Sequence, residues 1–242
     1  MRQFFRNLDP KVNFKKFQFN RKMKTFYRQF VGNDDLCFDI GANIGNRVGI
    51  FLSLGARVVA LEPQPDCVEI LKRKYGKKEQ VTVLPFAAGQ NEGESDMYVS
   101  NSTTISSMSR SWIDAVKQNR FKDLAWNKTI KVKVTTLDAL INKFGCPKFI
   151  KIDVEGYEEN VVYGLSSKVK AMSLEFTPEY NESTIQAIEH LSKLAACEFN
   201  FSAGETMVFC FDAWVSGVDM VENVKKRKNE FESNGDIYVR FL

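Results

Sequence analysis

Short apolar runs alternate with helical stretches along most of the chain. The runs are rich in Val, Ile, Leu and Phe and predict buried strands, and apolar residues three and four positions apart predict the helices between them. Strands are predicted at residues 36–40, 57–61, 81–86, 131–135, 149–152 and 171–176, with antiparallel candidates at 199–202, 207–211 and 237–241. Helices are predicted at residues 43–53, 65–74, 137–144, 159–165 and 183–196. This alternation indicates an α/β fold with a mostly parallel sheet and helices on both faces.

Residues 89–128 interrupt the alternation. They hold a Ser/Thr-rich run at 102–107 and the aromatic residues Trp112, Phe121 and Trp126. We expect this segment to pass over the ligand-binding edge of the sheet. Two interpretations stay open, namely a polar and aromatic surface for a sugar-like ligand, or a solvated loop whose aromatic residues pack in the core.

The first part of the chain is basic and aromatic. Residues 1–28 carry nine Lys or Arg against the single acid Asp9, interleaved with Phe and Tyr. Such a segment suits a helical cap that buries its rings, an arm that grips an anionic substrate, or a helix on a membrane surface. We predict a helical cap at residues 1–32 and one α/β domain at residues 33–242, and peripheral membrane contact stays open.

Composition limits the classes of partner and cofactor that the protein can have. The formal net charge of +4 is too small to imply nucleic acid, and no apolar run approaches the roughly 20 residues of a membrane-spanning helix. The start of the chain lacks the apolar core of a secretory signal, so a cytoplasmic protein is predicted. Five scattered Cys without a Cys-x-x-Cys pair argue against a disulfide framework or zinc, and no resident metal is predicted. Oligomeric state is not encoded in these patterns.

A glycine turn follows the first predicted strand. Gly41 and Gly45 allow the backbone to turn and to approach a ligand closely, at the place where open parallel sheets bind nucleotides. Asn43 stands where a dinucleotide fingerprint has its second glycine, which disfavours a tightly held pyrophosphate and with it an oxidoreductase. Glu62, at the end of the second strand, can accept hydrogen bonds from ribose hydroxyls. The pattern predicts a ligand that contains adenosine.

Three carboxylates lie at the same edge of the predicted sheet. Asp153 follows the strand at 149–152 and is the first candidate for a general base, and Glu155 and Glu175 complete an acidic cluster. Clustered acids raise one another's pKa, which suits a base. The same oxygens would also suit Mg²⁺, and Glu155 has the alternative role of capping the helix that follows it.

Four segments resemble the FkbM-type methyltransferases that depend on S-adenosylmethionine (SAM). They are FDIGANIGN at 38–46, VVALEPQP at 58–65, TTLDAL at 135–140 and KIDVEGYE at 151–158. The resemblance implies a Rossmann-like class I methyltransferase fold with a seven-stranded sheet, SAM as cofactor, and methyl transfer to oxygen, often to a hydroxyl of a sugar or natural product. It does not supply the acceptor.

The resemblance also implies which positions contact the cofactor. In the family pattern Asp39, Gly41 and Asn43 lie against the methionine part of SAM, Glu62 binds the ribose, and Pro63 and Ala88 lie near the adenine.

We therefore predict an enzyme that methylates a hydroxyl oxygen, of a saccharide or another polar small molecule. Transfer to nitrogen and a non-catalytic SAM- or nucleotide-binding module are the alternatives. The carboxylates of the KIDVEGYE segment favour the enzyme, because a protein that only binds SAM needs no base.

Overall fold

The computed structural model describes residues 10–227 and 234–242. Its strands are β1 (Leu36–Ile40), β2 (Arg57–Leu61), β3 (Val81–Leu84), β4 (Ala87–Ala88), β5 (Gly93–Val99), β6 (Lys128–Thr135), β7 (Phe149–Ile152), β8 (Ala171–Phe176), β9 (Cys197–Ala203) and β10 (Gly235–Phe241). Its helices are α1 (Pro10–Tyr27), α2 (Asn46–Ser53), α3 (Pro65–Tyr75), α4 (Arg110–Val116), α5 (Leu137–Phe144), α6 (Glu158–Val162), α7 (Asn181–Leu194) and α8 (Gly217–Lys226).

Seven of the described strands form the main sheet, in the order β3-β2-β1-β7-β8-β10-β9. The first five pair in parallel, and β10 lies antiparallel between β8 and β9. The predicted Rossmann-like, mostly parallel seven-stranded sheet is confirmed. Because the carboxyl ends of β1, β2, β7 and β8 meet at one edge, the polar residues that follow these strands converge there.

Alternate residues of the strands pack on opposite faces of the main sheet. In β1, Cys37 belongs to the apolar layer that includes α1, α2 and α3, whereas Phe38 and Ile40 belong to the layer that includes α5, α6, α7 and α8. This period of two, with each face covered by helices, is why short apolar runs predicted the strands so well.

A second, three-stranded sheet covers part of the carboxyl edge, in the order β4-β6-β5. The strand predicted at residues 81–86 is wrong in its last part, because β3 ends at Leu84 and Ala87–Ala88 pairs instead with β6. Segment 89–128, expected to be irregular, contains β5 and α4. The polar residues of β5 are largely exposed, so it lacked the apolar signal of a core strand.

Two other predictions needed correction near turns. Helix α2 begins at Asn46 rather than residue 43, because Asn43 and Gly45 adopt φ angles of +46° and +84° that a right-handed helix excludes. Residues 207–211 form no strand. Met207 has a φ of +51° and is buried, so this segment packs its apolar side chains beside α1 instead of extending the sheet.

Helix α1 packs its later turns against the domain. Met23, Phe26 and Tyr27 are buried, and the Tyr27 ring meets that of Phe149 edge-on at 5.7 Å between centroids. Earlier in the helix, Phe14 and Phe17 are 60% and 64% exposed. Residues 1–9 of the predicted cap lie outside the described residues, and the division of the chain at residue 32 stays a prediction.

Among the described residues, no helix has both the length and the apolar character that crossing a membrane requires.

Candidate active site

The glycine loop is fixed against the end of β7. Gly41 has a φ of +83°, and a Cβ atom at this position would overlap the main-chain carbonyl oxygen of Asp153. The main-chain N–H of Asp153 in turn donates to the carbonyl of Ile40 at 3.0 Å. Gly41 therefore joins the loop to the acidic edge, and only glycine tolerates both the φ angle and the close approach.

Glu62 is buried beside this loop, with 2% of its surface exposed. Its Oε2 accepts the main-chain N–H of Asn43 at 2.8 Å, and its Oε1 accepts the main-chain N–H of Gln64 at the same distance. Burial raises the pKa of Glu62, and these two hydrogen bonds act in the opposite direction. A carboxylate oxygen has more than one acceptor site, so each oxygen can still accept a ligand hydroxyl.

Hydrogen bonds hold the Ser/Thr-rich segment over the glycine loop. The side-chain amides of Asn43 and Gln64 both donate to the carbonyl of Thr103, at 3.1 and 3.0 Å. The hydroxyl of Ser106 donates to the side-chain oxygen of Gln64 at 2.9 Å. For the Ser/Thr-rich run, the structure favours a polar surface that faces a ligand over a solvated loop. Thr103 and Thr104 are nevertheless exposed. We call this surface the polar wall. Gln64 was not predicted as a site residue, because no sequence pattern distinguishes a single amide side chain that follows Glu62.

The aromatic residues of this segment pack instead of lining the cavity. Trp112 is buried and donates its indole N–H to Thr177 at 3.1 Å, and Trp126 donates to the carbonyl of Ile105 at 2.8 Å. Phe121 packs with both in the same apolar cluster. The core interpretation therefore holds for these rings.

A cavity of about 320 Å³ runs along the carboxyl edge. Nine of the ten residues predicted for the site line it: Asp39, Gly41, Asn43, Glu62, Pro63, Ala88, Asp153, Glu155 and Glu175. Gly45 does not. A Cβ atom there would press on the ring of Tyr75 in α3, so its positive φ serves the turn into α2. Arg47 and Glu205 also line the cavity and were not predicted.

One buried lysine joins two acidic side chains below the cavity. Lys151 is 1% exposed, and its Nζ donates to Oδ2 of Asp153 at 3.2 Å and to Oδ1 of Asp236 at 2.8 Å. Asp236 lies opposite Glu175 in the antiparallel pair of β10 and β8. Strands β7, β8 and β10 are neighbours in the sheet, and their register places Asp153, Glu175 and Asp236 side by side. The buried Lys151 lies beneath these three carboxylates.

The sequence of this chain matches the family model described as Methyltransferase FkbM domain, over residues 39–201. The chain belongs to the FkbM methyltransferase family. The match spans all four segments on which the resemblance rested, apart from the first residue of FDIGANIGN. The family and the Rossmann-like class I methyltransferase fold are therefore as predicted.

Individual relatives are more distant. A hexuronic acid methyltransferase, AglP, of Haloferax volcanii is 26% identical over 142 residues, which are 58% of this chain and 54% of that protein. The chain thus spans about half the length of the curated relative that it matches.

Solved structures with similar folds share less sequence. A putative rRNA-methylase from Clostridium thermocellum is 12% identical, with 91% of this chain and 94% of that one covered and a TM-score of 0.47. A putative methyltransferase from Streptococcus mutans in complex with SAH is 8% identical, with coverages of 91% and 96% and a TM-score of 0.44.

SAM is the cofactor of this FkbM methyltransferase, and the residues present fit it. The carboxylate of Asp39 accepts a hydrogen bond from the main chain of Val48, but its buried Oδ2 has no partner among the described residues. Such an atom suits the cationic methionine part of SAM, and the paired oxygens of Glu62 suit a ribose.

The carboxylates of the FkbM site differ in acidity. Burial raises the pKa of Asp39 to about 7, although Lys151 and Arg47 oppose the rise. Burial, and then neighbouring acids, hold the pKa of Glu155 and of Glu175 well above the ordinary value. At Asp153 burial acts in the same direction, but Lys151 and Arg47 outweigh it and the pKa is lowered. Neighbouring acids raise the pKa of Glu155 and Glu175 as expected, whereas the two cations prevail at Asp153.

Glu155 does not cap the helix that follows it, which has no side-chain cap, and Glu158 instead holds the loop before that helix. The Oε1 of Glu158 accepts the main-chain N–H groups of Val154 at 2.9 Å and of Gly156 at 3.4 Å. Glu155 has a φ of +56° and lines the cavity. Ligand oxygens of Asp153, Glu155 and Glu175 lie within 4.8 Å of one another, a spacing that a divalent cation would also accept. The absence of a resident metal stays a prediction.

Proposed function

We propose that the protein transfers a methyl group from SAM to a hydroxyl oxygen of a saccharide. The observation that carries this proposal is the convergence of Asp153 and Glu175 in the same cavity as Glu62. A hydroxyl that accepts a methyl group must give up its proton, and a carboxylate in this position can take it.

We assign each residue of the cofactor site to one part of SAM. Glu62 accepts the two ribose hydroxyls, and Asp39 faces the positive charge of the methionine part. Gly41 and Asn43 shape the loop beneath it, and Pro63 and Ala88 leave room for a flat base. SAM supplies an electrophilic methyl carbon on a sulfonium, and the protein's task is to hold the acceptor in line with it.

For the proton, we assign the base to Asp153. Its lowered pKa favours the ionised form, whereas the raised pKa of Glu175 favours a protonated acid that donates a hydrogen bond to Asp153. A weak base is enough here, because the acceptor hydroxyl becomes strongly acidic as its oxygen gains the methyl group. Lys151 holds Asp153 in place and balances its charge.

The saccharide acceptor is supported by the polar wall and by one relative. Thr103, Thr104 and Ser106 offer hydroxyls along the cavity. The relative from Haloferax volcanii carries a name that specifies a hexuronic acid. Family membership sets aside the alternative of a non-catalytic module. A cytoplasmic setting and independence from nucleic acid stay predictions from composition.

The test is to incubate the protein with SAM labelled in its methyl group and with extracted glycans, lipids and proteins. Label that enters glycans and survives mild alkali identifies an ether on a hydroxyl oxygen and supports the proposal. Label that alkali releases would place the methyl on a carboxylate, and label on protein amines would favour transfer to nitrogen. Either result contradicts the proposed acceptor atom.

A further inference from the structure

Arg47 is a cation inside the cavity that the proposed reaction does not use. It lies in the first turn of α2, directly after the glycine loop, and its side chain is 12% exposed. Burying a guanidinium is unfavourable unless an anion compensates it. The residues around Arg47 should therefore show which anion it binds.

The carboxylate that meets Arg47 comes from a surface turn. Both oxygens of Glu205 accept from one nitrogen of Arg47, Nη2, at 2.8 and 2.7 Å. Glu205 is 60% exposed and lies in the turn after β9. Among the described residues, the hydrogen bonds of the Glu205 side chain are those to Arg47, and an anion that replaced it there would leave this carboxylate in solvent.

Arg47 keeps donors that Glu205 does not use. Its Nη1 contacts the thioether of Met23 at 2.8 Å, a weak acceptor, and its buried Nε has no partner among the described residues. A guanidinium binds a carboxylate most strongly through two parallel N–H groups, each to its own oxygen. Glu205 leaves that arrangement unmade, and a carboxylate that entered the cavity could make it.

Arg47 acts electrostatically on carboxylates of both the cofactor site and the acidic cluster. It interacts with Glu205 and Asp236, and it opposes the rise in the pKa of Asp39, which we assign to the cofactor. It is also close enough to Asp153 to lower the pKa of that residue. An anion bound by Arg47 would thus lie near the proposed base.

We infer that Arg47 binds a carboxylate carried by the acceptor, so that the acceptor is an acidic sugar, and that Glu205 occupies the position of this carboxylate until the acceptor displaces it. The inference rests on the proposed function and names its substrate class. The other source of a carboxylate is the methionine part of SAM, and the experiment separates the two.

The probes are p-nitrophenyl β-D-glucuronide and its neutral counterpart, p-nitrophenyl β-D-glucoside, titrated into protein saturated with S-adenosylhomocysteine. We expect the glucuronide to bind at least tenfold more tightly. Arg47→Gln should remove this preference while the affinity for S-adenosylhomocysteine stays within about twofold. Arg73→Gln, at an exposed position of α3, is the matched control.

Glu205→Gln keeps the test valid if Arg47→Gln fails to fold, because Glu205 is exposed. Removing this competing carboxylate should tighten glucuronide binding several-fold and leave glucoside binding unchanged. The inference is overturned if the glucuronide has no advantage, if neither sugar binds, or if Arg47→Gln weakens S-adenosylhomocysteine more than tenfold and leaves the sugar preference intact. Alkali-stable label on neutral glycans would meanwhile leave the proposed function standing.

Discussion

The main-chain N–H of Asn43 donates a hydrogen bond of 2.8 Å to the carboxylate of Glu62. The bond joins the glycine loop after β1 to the residue that follows β2, and the N–H of Gln64 holds the second oxygen. The carboxylate is thus oriented before any ligand arrives, which reduces the entropy lost when a ribose binds.

Glu62→Gln should weaken S-adenosylhomocysteine binding about 10- to 100-fold, because one of the two charged oxygens that accept ribose hydroxyls is replaced by an –NH₂ group that cannot accept. Isothermal titration calorimetry measures the change. Glu69→Gln, at an exposed position of α3, serves as control. An unchanged affinity in Glu62→Gln would remove Glu62 from the ribose site.

SAM binding should strengthen as the pH rises from 6 to 8. The pKa of Asp39 is about 7 because of its burial, and only the ionised form attracts the cationic cofactor. Below that pKa the affinity should fall by up to about tenfold per pH unit, and above it the curve should level off. Titrations of SAM across this range, repeated with Asp39→Asn, should show weaker binding without this slope in the variant.

The same shift predicts how the free protein responds to pH. A carboxyl group whose folded-state pKa is raised stabilises the fold below its unfolded-state pKa, and the contribution is lost as pH rises through the folded value. Asp39 and Glu158, both with a pKa of about 7, should therefore lower the free energy of unfolding between pH 4 and 7. Urea unfolding at several pH values measures this, and Asp39→Asn should flatten the curve.

Asp153 and Glu175 should respond differently to amide substitution. Glu175→Gln mimics the protonated acid that donates to Asp153, so we expect the methyl-transfer rate at saturating substrates to stay within about fivefold. Asp153→Asn removes the base and should lower that rate about 10²- to 10⁴-fold, with S-adenosylhomocysteine affinity retained. The reverse ranking would transfer the role of base to Glu175.

Gly41→Ala should destabilise the fold by about 3 kcal/mol or more, because a positive φ costs alanine roughly 1–2 kcal/mol and the new Cβ also overlaps the carbonyl of Asp153. Gly204→Ala is the matched control. Gly204 also has a positive φ, of +48°, but nothing lies within 4 Å of the added Cβ, so the cost should be about 1 kcal/mol. Equal losses in urea unfolding would show that the contact with Asp153 is unimportant.

Buried parallel strands were the most predictable part of this fold. The bounds of β1, β2, β7 and β8 agree with the prediction residue for residue, because each strand is an apolar run that ends in a polar turn. The second sheet was not predictable in the same way. Its strand β5 is mostly polar, and its pairing with β6 joins segments far apart in the chain.

The residues of the candidate site also differ in how well the sequence predicts them. Residues that follow a strand, such as Glu62 and Asp153, could be placed because topology brings strand ends together. Arg47 could not, since an arginine on a helix ordinarily faces solvent and only its position just after the glycine loop hinted otherwise. Glu205 gave no local signal, because its approach depends on a turn between β9 and the segment that packs beside α1.

The place of β10 in the main sheet limits how this protein can be shortened for laboratory work. The family model ends at residue 201, inside β9, yet β9 reaches β8 only through β10, which comes from residues 235–241. An expression fragment cut to the matched region would lack β10. It would expose the hydrogen-bonding edge of β8 and leave the remaining part of β9 without a partner strand. Such a fragment should aggregate, so crystallisation and binding work need residues 235–241.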